Sequence, residues 1–139
     1  MKFTIFTDGG ARGNPGPSGA GAVIFDEKKV QVGEVSAFLG VRTNNYAEYE
    51  ALILALQRLL DLLSVDKAEP VDVEVRMDSE LIVKQLRGEY KVKHPDMKTQ
   101  YARVSTLLSQ FRAVIFVHIP REENAIADAY ANEAMDRGR

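Results

Sequence analysis

The sequence predicts an α/β protein in which five strands form one mixed sheet, with helices on both faces. Near the N-terminus, two strand patterns are separated by a short polar turn at residues 26–29, which indicates an antiparallel hairpin. Residues 71–78 alternate strictly between apolar and polar side chains and predict a further strand. Segments with helical spacing of apolar residues alternate with the later strands, so the predicted order is β-β-β-α-β-α-α-β-α.

The N-terminal segment combines a strand pattern with a carboxylate and a glycine-rich stretch. Residues 2–7 are aromatic and β-branched, as strands prefer, and Asp8 follows directly. Residues 9–17 are rich in glycine and proline, which predicts a loop whose main chain can approach a ligand closely. Alone, this loop is equally consistent with a ligand site and with a plain connector. The second and third strands are expected at residues 19–25 and 30–39.

The first helix is expected to begin at the capping side chains of residues 43–45 and to run to about residue 63. Helical spacing gives it a buried stripe of Leu52, Leu56, Leu59 and Leu63. Glu48 lies on the same stripe, although glutamate is rarely buried without a partner. Glu48 is therefore either a helix-capping residue or one that meets a partner at the edge of the sheet. Glu50 lies off the stripe and suits the role of stabilising the helix dipole better.

The second half of the chain is expected to contain two strands and three helices. They are a strand at residues 71–78, helices at 81–86 and 97–109, a strand at 113–118 and a final alanine-rich helix after residue 124. The strand at 113–118 is continuously apolar, as expected of a strand that is covered on both faces.

Four acids occupy positions that suggest a common site. Asp8 and Asp78 each lie where a strand ends, and parallel neighbouring strands would bring them side by side at the edge where open α/β sheets bind ligands. Asp78 could instead be a helix cap. Glu48, on the first helix, and Asp128, on the last, are the other two.

Composition limits the classes of function. A length of 139 residues fits a single domain over residues 1–139. The absence of cysteine excludes disulfides, thiolate metal sites and cysteine nucleophiles. No leader or membrane-spanning pattern is found, so we expect a cytoplasmic protein without membrane association. The net charge of −2 argues mildly against nucleic-acid binding, unless bound cations offset clustered carboxylates.

Four ordered blocks of sequence carry a resemblance to a known family. They are residues 7–10 with 13–17, 43–45 with 47–49, 77–79, and 120–124 ahead of Asp128. With these blocks the chain resembles type 1 ribonuclease H of the bacterial and archaeal kind, enzymes that cut the RNA strand of an RNA–DNA hybrid. One block would be a weak signal, whereas four in order are specific. The resemblance implies the ribonuclease H-like fold and a monomer.

The resemblance also implies a metal site. The family's catalytic, metal-binding carboxylates map onto Asp8, Glu48, Asp78 and Asp128. Related enzymes hold two Mg²⁺ ions there, Mn²⁺ can substitute, and hydrolysis leaves 5′-phosphate and 3′-hydroxyl ends. Acids suit this role because Mg²⁺ is a hard cation that prefers oxygen ligands and joins carboxylate to phosphate. A pair of ions about 3.5–4 Å apart can orient the attacking water and stabilise the leaving oxygen.

Two residues are candidates for an auxiliary role. Many family members have a loop histidine ten residues before the last aspartate, and His118 has that spacing. It stands, however, at the end of an apolar strand, so a partly buried strand histidine is the alternative. Arg121 resembles an arginine found in other members and could contact phosphate instead, or it could be a merely exposed side chain.

Substrate contacts are expected in two regions. By resemblance, the segment from Gly10 and Ala11 to Asn14, together with Thr43, Asn44 and Asn45, would contact phosphates, the minor groove and RNA 2′-hydroxyls. Many members also carry a basic, tryptophan-containing protrusion. This chain has no tryptophan, so Lys91 and Lys93 are expected to form a smaller basic surface that contacts the DNA strand. The alternative is a solvated loop.

Other functions fit the sequence less well. A sugar-kinase-like ATPase needs a second nucleotide-binding domain, and no Walker-type motif follows the glycine segment. An inactive hybrid-binding module would typically have lost at least one acid, and all four are present. Cleavage of double-stranded RNA as well stays open, because the reduced basic region leaves selectivity undecided.

Overall fold

The computed structural model describes residues 1–63 and 69–139, and its elements follow the predicted order. The strands are β1 (Lys2–Ala11), β2 (Gly16–Phe25), β3 (Gln31–Arg42), β4 (Asp72–Met77) and β5 (Ala113–His118). The helices are α1 (Asn44–Leu62), α2 (Glu80–Leu86), α3 (Pro95–Leu108) and α4 (Ala125–Arg137). A short 3₁₀ turn, Arg121–Glu123, precedes α4.

The five strands form one sheet in the order β3-β2-β1-β4-β5. β2 pairs antiparallel with both β1 and β3, whereas β4 pairs parallel with both β1 and β5. The predicted mixed sheet is therefore confirmed. β1 is its central strand, and it forms the boundary between the antiparallel and the parallel halves.

The prediction of a loop at residues 9–17 is wrong for most of that segment. β1 continues to Ala11 and β2 begins at Gly16, so only residues 12–15 form the turn. A hydrogen bond from the Arg12 N–H to the Pro17 carbonyl oxygen (2.9 Å) closes it. The ladder between β1 and β2 satisfies the main-chain groups here, which outweighs the weak strand preference of glycine.

Two glycines allow helices to lie directly against the sheet. A β-carbon at Gly9 would collide with the carbonyl group of Ala47 in α1, and one at Gly21 would collide with the carbonyl oxygen of Ala127 in α4. Gly21 pairs with Asp8, the neighbour of Gly9, and successive residues of a strand face opposite sides. The two helices therefore cover opposite faces of the sheet, as predicted.

α1 begins and ends where the sequence predicts. The Thr43 hydroxyl accepts the Tyr46 N–H (3.2 Å) as the N-cap. Its predicted stripe is inside, with Leu52, Leu56 and Leu59 fully buried and Leu63 partly buried against the core. Although α1 has 19 residues, neither it nor any other described helix is both long and apolar enough to cross a membrane.

Glu50 does not serve the helix dipole, contrary to the prediction. It is only 8% exposed, and its Oε1 accepts hydrogen bonds from Gln100 (2.9 Å) and Arg103 (2.6 Å) of α3. The prediction fails because α3 packs against this side of α1 and brings a cation and a carboxamide to the acid. Glu50 thereby ties the two helices together.

The prediction that β5 is covered on both faces is also wrong. β5 is an edge strand, Ile115 is 53% exposed, and Phe116 is the one residue of the strand that is buried. The reason is the position of α4, which packs on β1, β2 and β3 and leaves the outer part of that face uncovered. Arg87, the C-cap residue of α2, donates to the Phe116 carbonyl oxygen (2.9 Å) and so occupies one main-chain group of the strand.

Candidate metal centre

Asp8 and Asp78 lie side by side because of the register between their strands. The parallel pairing of β1 with β4 ends at Thr7 opposite Met77. Asp8 and Asp78 are the residues that follow this last pair along the chain. Asp8 stays inside β1, which continues against β2 alone, while the chain after Asp78 turns into α2. Ser79, whose hydroxyl accepts the Ile82 N–H (3.3 Å), caps α2, so Asp78 is not the cap.

Glu48 reaches the same point from α1. Because Gly9 has no side chain, the main chain of α1 lies against β1 at Ala47, and Glu48 is brought next to Asp8. Glu48 is 8% exposed and lies beside Asp8 and Asp78 at the edge of the sheet. Its neighbours are other acids.

Three carboxylates converge, and a fourth adjoins them. Oxygen atoms of Asp8, Glu48 and Asp78 all lie within 4.8 Å of one another. Asp128, on the first turn of α4, is within hydrogen-bonding reach of Asp8. All four line one cavity of about 320 Å³, here called the acid cavity. Its other lining residues are Gly9, Gly10, Ala11, Arg12, Asn44, Arg121, Ala131, Asn132 and Met135.

The acids raise one another's affinity for protons. Burial, the charge of Asp78 and a hydrogen bond with Asp128 raise the pKa of Asp8 to about 8. Burial and the charges of Asp8 and Asp78 raise the pKa of Glu48 well above its ordinary value. Several carboxylates held in a poorly solvated place repel one another, and a cation would relieve that repulsion.

The donor atoms fit a hard divalent cation. Glu48 Oε2 is buried and has no hydrogen-bond partner among the described residues. A buried carboxylate oxygen without a donor is costly, and a metal ion would satisfy it. The cavity offers carboxylate oxygens and no histidine, which is the ligand set of Mg²⁺ and Mn²⁺ rather than of softer metals.

Arg121 and His118 occupy different surroundings. Arg121 lines the acid cavity, with its Nη2 4.0 Å from Asp128 Oδ1, and its side chain is 83% exposed. His118 ends β5 opposite Met77, is exposed, and is not among the residues that line the cavity. The alternative of a partly buried strand histidine is wrong, because β5 is an edge strand and His118 is exposed.

The expected substrate-binding residues near β1 adjoin the acid cavity. Gly10, Ala11 and Asn44 line it. Asn44 Oδ1 accepts the Ala11 N–H (2.7 Å), and Asn14 Oδ1 accepts the Asn44 N–H (3.0 Å), so the turn and the start of α1 are fixed together. Thr43 and Asn45 flank Asn44 and are exposed beside them.

Lys91 and Lys93 lie outside the acid cavity. They line a second, open cavity of about 460 Å³ with Lys98, Tyr90 and Tyr101, here called the lysine cavity. The Lys84 ammonium group lies 5.1 Å from the centre of the Tyr90 ring and 2.8 Å from Glu80, which holds the loop against α2.

Sequence reasoning missed two carboxamides that bind the acids. Asn124 Nδ2 donates to Asp78 Oδ2 (3.0 Å), and Asn132 Nδ2 donates to Asp128 Oδ2 (3.2 Å). Asn132 lies one helical turn after Asp128, a spacing that predicts contact on one helix face. Asn124 belongs to one of the four sequence blocks, but nothing local indicates that its partner is Asp78, which follows β4.

The chain is similar in sequence to known proteins. A family model described as reverse transcriptase-like matches residues 6–134. A bifunctional protein of Mycobacterium tuberculosis is 43% identical over 98% of this chain, which spans 36% of that relative's length. Ribonuclease HI of Halobacterium salinarum is 41% identical over 97% of this chain and 65% of its own length.

Two solved structures share the fold over nearly their whole length. A structure titled LC11-RNase H1 in complex with RNA/DNA hybrid is 53% identical, with 97% of both chains covered and a TM-score of 0.89. RNase H1 from Halobacterium salinarum is 39% identical, with 99% of both chains covered and a TM-score of 0.88.

Proposed function

The chain belongs to the type 1 ribonuclease H family, and we propose that it is an endoribonuclease that hydrolyses the RNA strand of RNA–DNA hybrids. The expected products carry 5′-phosphate and 3′-hydroxyl ends. The structural neighbour described as a complex with an RNA/DNA hybrid supports this class of substrate. We further propose that residues 1–139 form one domain that acts as a monomer.

One observation carries the proposal. Oxygen atoms of Asp8, Glu48 and Asp78 lie within 4.8 Å of one another, and Asp128 adjoins Asp8 in the same cavity. A stable fold gains nothing from such a cluster, since mutual repulsion destabilises it. The arrangement is explained if the cluster holds cations that bind a phosphate.

The four acids are the proposed ligands of two Mg²⁺ ions, for which Mn²⁺ can substitute. When bound, such a pair orients a water molecule, polarises the phosphoryl oxygens and stabilises the leaving 3′ oxygen. The carboxylates of Asp8, Glu48 and Asp78 supply fixed negative oxygens, and Gly9 allows Glu48 to be held there by α1. Asp128 completes the set from the opposite face of the sheet.

The remaining residues around the acid cavity are proposed to orient the hybrid. Arg121 is exposed beside Asp128 and would contact the phosphate next to the cut. The main chain at Gly10 and Ala11 and the side chains of Asn44 and Asn45 would face the minor groove and the 2′-hydroxyls, which distinguish RNA from DNA. Asn14 and Thr43 would contact phosphate of the DNA strand.

The lysine cavity is proposed as the second contact with the DNA strand. Lys91 and Lys93 would contact phosphates, and Tyr90 offers a ring on which a sugar or base can stack. Contacts to phosphate and sugar position a duplex without reading its bases, so little sequence preference is expected.

A cleavage assay tests the proposed function. Labelled RNA–DNA hybrid, double-stranded RNA and double-stranded DNA are incubated with wild type and with Asp8→Asn, with Mg²⁺ or with a chelator. We expect wild type to cut the RNA of the hybrid when Mg²⁺ is present, and Asp8→Asn to be slower by about a thousandfold or more. Cutting without metal, undiminished activity of Asp8→Asn, or binding of hybrid without cutting would each refute the proposal.

A further inference from the structure

Asn124 is a buried carboxamide that bonds to three of the elements that carry the acids. It lies between the 3₁₀ turn and α4 and is 1% exposed. Its Nδ2 donates to the main-chain oxygen of Thr7 (2.8 Å), the residue before Asp8, and to Asp78 Oδ2 (3.0 Å). Its own main-chain oxygen accepts the Asp128 N–H (3.1 Å).

The orientation of the Asn124 amide follows from its partners. A carbonyl oxygen and a carboxylate oxygen are both acceptors, so the NH₂ group must face them and both of its hydrogens are used. Asn124 Oδ1, in contrast, is buried without a partner among the described residues. Leaving this oxygen unsatisfied costs free energy. We therefore attribute the burial of Asn124 to the two hydrogen bonds that its NH₂ group donates.

A neutral amide is well suited to orient a carboxylate that must keep its charge. A lysine or arginine at the same place would neutralise Asp78 and compete with a cation for it. Asn124 engages one oxygen of Asp78, and within residues 1–63 and 69–139 no hydrogen bond engages Asp78 Oδ1. The amide therefore fixes the carboxylate while leaving an oxygen for a ligand.

We propose that Asn124 is a positioning residue that holds Asp78 beside Asp8 and thereby sets the affinity of the acid cavity for divalent cations. The hydrogen bond to the Thr7 carbonyl oxygen fixes the amide to β1. The hydrogen bond to Asp78 then holds that carboxylate in place after the end of β4. This inference rests on the proposed function, because it concerns the cations that the four acids would hold.

A purely structural role makes a different prediction. If Asn124 only connects α4 to the sheet, its removal lowers the free energy of unfolding and leaves the cation affinity of the folded protein unchanged. Gln100 provides the matched control, since it is also a carboxamide 1% exposed, and it bonds to Glu50 away from the acid cavity.

The experiment measures binding of Mn²⁺ to the metal-free protein by isothermal titration calorimetry, for wild type, Asn124→Ala and Gln100→Ala. We expect the Kd of Asn124→Ala for Mn²⁺ to rise roughly ten- to a hundredfold, the usual effect of removing a residue that orients a metal ligand. Gln100→Ala is expected to bind Mn²⁺ as wild type does, although its unfolding midpoint in urea falls.

The outcomes separate this inference from the proposed function. If wild type binds Mn²⁺ and cleaves hybrid but Asn124→Ala binds Mn²⁺ equally well, the positioning role is refuted and the proposed function stands. If wild type does not bind Mn²⁺, both are refuted. Should circular dichroism show that Asn124→Ala is unfolded, Asn124→Ser is titrated instead, and the same comparison with wild type decides.

Discussion

The single residues of the acid cavity are held in a state that is unfavourable without a cation. Asp8 is 9% exposed and Glu48 is 8% exposed, and each faces other carboxylates. Both have pKa values raised by burial first and by neighbouring acids second. Such a cluster is expected where function, rather than stability, has selected the residues.

This repulsion predicts how stability depends on pH in the metal-free protein. The pKa of Asp8 is about 8 in the folded protein, above its ordinary value of 3.8. The folded state therefore holds the proton more tightly than the unfolded chain. The contribution of this group to stability is fully present below about pH 4 and is lost as the pH rises towards 8.

The check is urea denaturation in a chelating buffer between pH 5 and pH 8. Wild type is expected to lose roughly 3–4 kcal/mol more stability across this window than Asp8→Asn, which has no proton to lose at this position, because each pH unit between the unfolded and the folded pKa is worth about 1.4 kcal/mol. Mg²⁺ should restore the stability of wild type at pH 8 by binding the folded state. Parallel curves for the two proteins would contradict the account.

Arg121 and His118 give a second prediction for single residues. Arg121 lines the acid cavity beside Asp128, whereas His118 lies at the exposed end of β5. Arg121→Ala is expected to lower kcat for hybrid about tenfold, the equivalent of one charge-assisted hydrogen bond. His118→Ala should stay within about twofold of wild type. Steady-state kinetics on the same hybrid decide, and a larger loss for His118→Ala would reverse the assignment.

Residues that carry chemistry were easier to predict than residues that support it. Glu48 was identified because a charged side chain on an apolar helix stripe needs a partner. Asn124 was not, because its partners Thr7 and Asp78 lie 117 and 46 positions away in sequence. An amide has no characteristic pattern of its own, so its role became visible only from the tertiary structure.

The elements around the site are placed by close packing of main chain on main chain. Gly9 and Gly21 let α1 and α4 lie against β1 and β2, and these helices carry Glu48 and Asp128 to the sheet. The sequence predicted a loop at Gly9 because glycine is common in turns. In the strand it serves a different purpose, which is to leave room for a helix.

The exposed face of β5 shows that the sequence did not predict how far the helices cover the sheet. Its apolar run predicted cover on both faces, yet a run of apolar residues does not reveal how far the neighbouring helices extend. α4 packs on β1, β2 and β3, and Ile115 stays exposed. The succession of strands and helices along the chain was predictable, whereas the extent of helix cover was not.

The loop between α2 and α3 gives a prediction at the scale of an element. Lys91 and Lys93 line the lysine cavity, separate from the acids, so their removal should weaken binding and leave the chemical step intact. Replacing both by glutamine is expected to raise KM for hybrid several-fold at constant kcat. The slope of log Kobs against log salt should become shallower by up to about two, since two phosphate contacts are lost.

The matched control replaces Lys28 and Lys29 by glutamine. These two lysines lie in the exposed turn between β2 and β3, at the end of β2 opposite Gly16 and the acid cavity. The change in net charge is the same, so a general electrostatic effect would appear equally in both variants. An unchanged salt dependence of the Lys91 and Lys93 variant would remove the lysine cavity from the binding site.

At the scale of the whole molecule, distribution of charge matters more than its sum. The formal net charge is −2, although four acids meet in one cavity and three lysines line another. Two bound divalent cations would cancel the charge of the acids, and the surface that faces a hybrid would then be positive. This would explain how a weakly acidic chain binds the proposed hybrid.

The convergence of the acids could be predicted because topology restricts the possibilities. Parallel neighbouring strands end at the same edge, and Asp8 and Asp78 follow the last paired residues of β1 and β4. The place of Asp128 depended on α4 packing against β1 and β2, which no local pattern specifies. Asp128 was noted as an acid on the last helix, its metal-binding role was implied by the resemblance, and its place beside Asp8 became visible only in the structure.

The most direct test of the account is an anomalous difference map, recorded at the manganese absorption edge, from crystals of the protein with Mn²⁺ and a hybrid that resists hydrolysis. The account predicts two manganese peaks bounded by the carboxylates of Asp8, Glu48, Asp78 and Asp128. An acid cavity without a manganese peak, in crystals where the hybrid is bound, would contradict it.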